Sequence, residues 1–563
     1  MTAALDVVPL ELLVPPSPSE RRGLDRDDCA IVLDGLLRRL ARREALCRRV
    51  VGRLARPFLV RRAHVRLGVV RIHDYATERL GISGREFEEL GRVSRRLEAL
   101  PAIAQAFADG ALSWSHVRLL ATVATPETEG IWLACARGKT VRALVAAVAA
   151  AQQTAPDPDE TAVDDEPRVR FYTRVPRRVR RLWQQATELA SRMSGARIPT
   201  WRAAEAIAAE GLASDVASGV PETTPITPGR SAPPPADASP WEALTEALPD
   251  DVETLARDAD ALDPFQLDAR LRAAIRARQR IDFQTGRLLG LLAQLGLHRA
   301  FGFHAFADYV RDRLGMSPRT VRALRAVDRR LPELPMLAAA YRDGRISLGR
   351  ALALLPVLHP DTEAAWTERA QEVTYRRLAE LVDWAVEIGE PDHPLPPPPS
   401  DATLDFPPPD ARQMCARDCD AEIVFPGPAS VVGLFRAAIH AFTPPGAPPW
   451  QGLERLLCHA IAEWRRQPRH RDPIFERDGW RCAVPACTAR ARLHDHHIVY
   501  RSRGGDHARD NRVAICAAHH LRGIHGMTIR VDGVAPHDLT WQLGVRTGRP
   551  PLLRTHGDRY LEA

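Results

Sequence analysis

The residues that decide how this chain is read run Leu493-His494-Asp495-His496-His497-Ile498, then Ser502-Arg503-Gly504-Gly505-Asp506, Asp510-Asn511-Arg512 and Cys516-Ala517-Ala518-His519-His520. Cys482 and Cys487 stand upstream of them and His525 downstream. Four residues separate Cys482 from Cys487, and two separate Cys516 from His519. Two such knuckles, about 30 residues apart, suit a tetrahedral Cys3His zinc site in a small domain. A domain of that size has little apolar core, so a bound metal supplies much of its folding free energy.

Once those four ligands are assigned, a second polar set is left over: His496, His497, Asn511, His520 and His525. A zinc framework does not require it. A tandem His-His at a strand end, with further histidines on a following helix, offers metal ligands beside a free imidazole. A free imidazole serves as a general base near neutral pH. One metal and one base suffice to hydrolyse a phosphodiester: the base activates water while the metal draws charge from the phosphate and the departing oxygen.

Over about 471–527 these residues closely resemble the HNH endonuclease family, with its ββα-metal fold, and the motif elements occur in the family's order. The resemblance implies a strand ending at His496-His497, a glycine loop at Gly504-Gly505, a second strand after Asn511 and a helix beginning near Ala517. It implies that His496 is the first metal ligand, His497 the general base, Asn511 the residue bracing the loop that holds the base, and His520 the closing metal ligand. His525 is implied as a further ligand, although its spacing from His520 is one residue longer than the family's usual interval. His519 stands where many relatives carry a fourth cysteine, and Asp495 is the alternative to His496 if the register shifts by one. The implied activity is DNA cleavage with a catalytic divalent ion (Mg2+, Mn2+, Ni2+ or Zn2+) beside a structural Zn2+. Arg501 and Arg503, next to the glycine loop, are candidate phosphate contacts. The segments 528–531 and 539–543, split by Asp532-Gly533, read as a small closing hairpin. Cys415 and Cys419 have no matching second pair and are not read as ligands.

Working outward, the rest of the chain is dominated by an internal duplication. The stretch from Asp74-Tyr75 to Leu144 matches that from Asp308-Tyr309 to Leu378 at a constant offset without a gap. Leu80-Gly81 falls on Leu314-Gly315, Asp109-Gly110 on Asp343-Gly344, Trp132 on Trp366, and Leu33-Asp34 on Leu267-Asp268. Weaker echoes follow in 171–212 and 423–464. Apolar residues recur at three-and-four spacing, as in Leu324, Val327, Leu331, Leu334 and Leu337, so both copies are expected to be helical. The segment from Tyr309 to Val327 has a helix-turn-helix cadence, with Ser317 as N-cap and Pro318 opening a helix that would present Arg319, Arg322 and Arg325 to DNA. Copy one places Glu86, Glu88 and Glu89 on that helix, where they would repel phosphate. The ten arginines of 38–62 are read as the solvated face of a long amphipathic helix. A linker is expected at 218–240, with further breaks at the acidic run 156–167 and the proline-rich run 394–409.

These readings give a mainly α chain: two duplicated helical modules (25–212 and 251–467) joined by a linker (213–250), then a small zinc-stabilised ββα-metal domain (468–545) and a tail (546–563). The helical modules loosely resemble the uncharacterised helical regions that precede HNH modules in bacterial proteins. They are expected to contribute DNA positioning, self-association or protein contacts. The net charge of +7 permits a polyanionic partner without demanding one. Lys139 is the only lysine, so the arginine richness reflects composition as much as phosphate binding. Nine sparse cysteines do not make a disulfide framework, and neither a signal sequence nor a membrane span is visible. A cytoplasmic protein is therefore expected. Two alternatives to the nuclease are a non-catalytic zinc-stabilised DNA-binding protein and a helical interaction scaffold carrying a degenerate nuclease module.

Overall fold

The computed structural model describes residues 26–137, 139–153, 168–194, 198–212, 252–388, 394–404, 421–466 and 472–561. The expected linker, the acidic run and Cys415 and Cys419 lie outside the described residues. The described chain is mostly helical with small sheets. None of its helices is long and apolar enough to cross a membrane.

The sequence divides the chain by copy; two of its helical cores stay within one copy each, and two are shared between the copies. Helix α1 (Arg26–Val60) of the first copy lies along its counterpart α2 (Pro264–Leu295) of the second. One core combines Leu37, Leu54, Phe58, Tyr75 and Phe87 with Leu267, Leu271, Leu288, Leu292 and Tyr309. Repeats whose apolar faces are each other's best match are expected to bury those faces together.

The contacts that lock this pairing are exchanged. Tyr75 donates its hydroxyl proton to Asp268 Oδ1 at 3.0 Å, and Arg79 Nη2 donates to Asp268 Oδ2 at 2.6 Å. In mirror image, Tyr309 donates to Asp34 Oδ1 at 3.0 Å, with Arg313 Nε and Nη2 at 2.6 and 2.7 Å from its two oxygens. Both carboxylates are buried. Each copy's Tyr–Arg pair thus satisfies the other copy's buried acid, which would otherwise carry a large desolvation penalty.

The turn within each helix-turn-helix is used the same way. Gly81 and Gly315 adopt φ of +67° and +65°, and a Cβ on either would overlap Ser347 or Ser113 of the other copy. Those two serines cap the helices Leu348–Leu354 and Trp114–Val123. The following helix, α3 (Pro318–Asp328), does start at the expected proline, but the Ser317 side chain makes no cap hydrogen bond. Glu86, one of the acids expected to repel phosphate, accepts a hydrogen bond from Arg278 Nη1 of α2 at 2.8 Å. On α1, Arg48 pairs with Glu44, Arg49 with Glu253, and Arg56 with Glu98 and Asp260.

A second shared unit comes from the weaker echoes. Strand β1 (Arg168–Val175) pairs antiparallel with β2 (Ala421–Pro428), and Phe171 sits opposite Phe425. Phe171 and Phe425 of the strands pack against Trp183 and Phe435 of the helices that follow them, Phe425 stacked on Phe171 and on Trp183, and Phe435 edge-on to Phe171. The described residues of the proline-rich break are tied to the helices: Trp366 Nε1 donates to Leu395 O at 2.9 Å and Arg377 Nε to Ser400 O at 2.8 Å.

The C-terminal part holds two small sheets. Strands β3 (Leu493–His497) and β4 (Arg512–Cys516) form an antiparallel pair, followed directly by a helical segment. Strands β5 (Ile529–Val534) and β6 (Asp538–Leu543) form the closing hairpin, extended by β7 (Leu553–His556) and β8 (Arg559–Tyr560). The segment read as a tail is therefore partly sheet, and it anchors this part to the helical body. Arg376, on the helix Tyr375–Ile388, holds both Asp558 oxygens at 2.8 and 2.6 Å.

Candidate metal centre and histidine cleft

The Cys/His set is built from three places in the chain. Cys482 and Cys487 come from the loop before β3, Cys516 ends β4, and His519 stands in the first turn of the helical segment. All four are buried, and one ligand atom from each falls within 4.8 Å of every other. His519 Nδ1 lies 3.4 Å from Cys482 Sγ and 3.4 Å from Cys516 Sγ, while backbone N–H groups of Ala489 and His519 point at Cys487 and Cys516 sulfurs. The loop carrying the first two cysteines is fixed from outside: Arg376 Nη1 donates to the carbonyls of Cys482 (3.0 Å), Val484 (3.3 Å) and Cys487 (2.7 Å).

The electrostatics fit a cation at this point. Hydrogen bonding to Cys482 and Cys516, together with burial, pushes the Cys487 thiol up, while hydrogen bonding to Cys482 and Cys487 pulls Cys516 down. Burial opposes charge on His519, but the sulfurs of Cys482 and Cys516 overcome it and raise it to about 10. Three sulfurs in a dry pocket cannot share negative charge without a positive partner, and borderline-soft Zn2+ with three thiolates and one imidazole is the expected match. These four residues could hold a metal ion, consistent with a structural zinc.

The remaining histidines separate by the two-residue alternation of β3. His494 and His496 point toward the helical segment, and His497 points away with Asp495. His496 is buried, with its ring centroid 5.0 Å from that of His520 and 6.4 Å from that of His525. Tyr500 packs edge-on against His496 at 5.7 Å and along His525 at 6.1 Å. Burial, then the neighbouring His520 and His525, lowers His496 to about 4, and burial lowers His520 as well. Both rings are therefore neutral at pH 7, the form that binds metals.

The extra residue between His520 and His525 has a structural answer. Residues His519–Ile524 form a π-helix, and His525 N donates to His520 O at 3.1 Å, five residues back. An α-turn would place residue 524, not 525, over His520. The wider turn restores the alignment, and the two Nε2 atoms come within 3.3 Å.

On the other side of β3, His497 is partly exposed, and its Nε2 lies 3.2 Å from His507 Nδ1. Burial, then His507, lowers its pKa. Asn511 braces the loop next to it: its Oδ1 accepts from Val499 N at 2.8 Å, and its Nδ2 donates to Asp506 O at 2.9 Å and Val499 O at 3.2 Å. Gly505 lets that loop close, since a Cβ there would overlap Val499 O. The Asn511 amide thus positions backbone and is not aimed at a substrate. Asp495 pairs with Arg512, so the alternative register that makes it a ligand is not adopted.

Among the expected phosphate contacts, Arg501 and Arg503 are exposed in a short turn just after Tyr500, and Arg503 lies over the Tyr500 ring at 5.4 Å. Arg319 and Arg322 are exposed on α3, in the helical body. Arg325 does not join them; it lies over Phe306 at 4.8 Å. His494, His507 and Tyr500 join the cluster without being expected from the sequence. The alternation of β3 would have put His494 beside His496, but no spacing marks the other two. No family model matches the chain, and neither a curated protein nor a solved structure does.

Proposed function

We propose that this chain is an HNH-type endonuclease, with a zinc-stabilised ββα-metal module that hydrolyses phosphodiester bonds of DNA. The observation that carries the reading is the convergence of His520 Nε2 and His525 Nε2 at 3.3 Å beside the buried, neutral His496. A zinc framework alone does not need that arrangement. A divalent ion (Mg2+, Mn2+, Ni2+ or Zn2+) held by His496, His520 and His525 would polarise the phosphate and stabilise the departing oxygen. His497 takes the proton of the attacking water at Nδ1, because its Nε2 faces His507. Its lowered pKa keeps it unprotonated, and so able to act as a base, at pH 7. Asn511 holds the loop from Val499 to Asp506 in place, and Arg501 and Arg503 meet the phosphate backbone. Cys482, Cys487, Cys516 and His519 hold the zinc that keeps strands and helix together.

The test is cleavage of supercoiled plasmid by the full chain with each of the four ions, comparing wild type with His497→Ala. Loss of a general base should lower the rate by about 10^2 to 10^4. Equal rates, or no cleavage with any ion, would overturn the proposal.

A further inference from the structure

We propose that His494 is a positioning residue for the exchangeable metal: it accepts the Nδ1 proton of His520 and so fixes the tautomer that turns the His520 Nε2 lone pair toward His525 and His496. This rests on the reading of those three histidines as a metal site.

The geometry lies on two sides of one ring. His520 Nδ1 is 2.9 Å from His494 Nδ1, and His520 Nε2 is 3.3 Å from His525 Nε2. Two nitrogens bound to one ion at about 2.0–2.1 Å, at the tetrahedral angle, stand about 3.3–3.4 Å apart. The second distance fits two ligands of a single ion, and on that reading Nε2 of His520 faces the metal. A neutral imidazole with a free lone pair on Nε2 carries its proton on Nδ1. That proton has to go to an acceptor, and the atom in reach is His494 Nδ1.

The acceptor is held in place by the fold. His494 is on β3 opposite Ile515 of β4, on the same face as His496, with its ring at 83° to that of His520 and centroids 5.1 Å apart. Metal-bound histidines regularly donate their second N–H to a partner, which orients the ring and raises its basicity; loss of such a partner costs about 10- to 100-fold in metal affinity.

The experiment titrates the zinc-loaded full chain with Co2+ or Ni2+ and measures the affinity and spectrum of the second ion in wild type, His494→Ala and His494→Asn. The expected result is a loss of about 10- to 100-fold in His494→Ala with the stoichiometry kept. In His494→Asn, whose amide oxygen can accept the same proton, most of the affinity should return. Unchanged affinity in His494→Ala overturns the inference while leaving the metal site standing. Complete loss of the second ion in both variants also overturns it, because His494 would then be a ligand. A wild-type chain that takes up no second ion overturns both the inference and the site.

Discussion

Replacing Asp268 by alanine should destabilise the helical body more than replacing Asp34, although the two positions are equivalent in the repeat. Asp268→Ala leaves the Tyr75 hydroxyl, fully buried, without its acceptor, together with Arg79, whose side chain is only 10% exposed. Breaking a buried ion pair by removing one partner costs about 3–5 kcal/mol, since the surviving charge stays desolvated. Asp34→Ala abandons an equally buried Tyr309 hydroxyl, but Arg313 is 33% exposed and can turn toward water. Its cost should fall to about 1–3 kcal/mol, the range for an unsatisfied buried hydroxyl and a partly solvated charge. Urea unfolding of the full chain followed by far-ultraviolet circular dichroism reads the helical transition, and the midpoint shifts give the order. Replacing Tyr75, Arg79 and Asp268 together by Phe, Met and Leu should recover much of the loss, because an apolar triad leaves no orphaned group. Equal costs at the two aspartates, or a larger one at Asp34, would refute the argument from solvent access.

The turn glycines should be intolerant. Gly315→Ala meets both a left-handed backbone and overlap with Ser113, and a loss of about 1–3 kcal/mol is expected in the same unfolding assay. At Gly296, also left-handed but with open space around its Cβ, only the backbone part of that cost should appear. Acid should loosen the metal-free histidine cleft. His496 has a folded-state pKa of about 4, below its ordinary 6.5, so the unfolded chain binds the proton first. That contribution to stability is complete above pH 6.5 and is lost as the pH falls toward 4, measurable as protease sensitivity of the C-terminal part across that window.

The duplication, its helical character and the Cys/His spacing were legible in the sequence because each leaves a period or an interval. The exchange between copies was not. Asp34 and Asp268 look like ordinary helix acids until Tyr309 and Tyr75 are seen to arrive from the other repeat, and similarity between copies does not say which copy a residue touches. The partner of Glu86 was hidden for the same reason, since Arg278 is 192 residues away. The strands β7 and β8 are short and carry no clear alternation, so they read as a tail. Along Leu493–Cys516 the strand, glycine loop and second strand were expected from the family resemblance, and two paired strands do lie there. The fit of His525 was hidden, since a five-residue interval fits a π-turn that composition does not announce.

His519 and His520, neighbours in sequence, are proposed to belong to different sites. Metal content of the purified full chain, measured after dialysis and again after addition of excess Mn2+ or Ni2+, tests this in wild type, His519→Ala and His520→Ala. The account predicts that wild type retains one zinc through dialysis and gains one exchangeable ion. His519→Ala should lose the retained zinc, whereas His520→Ala should keep it and fail to gain the second ion. Loss of the same ion in both variants would contradict the two-site arrangement.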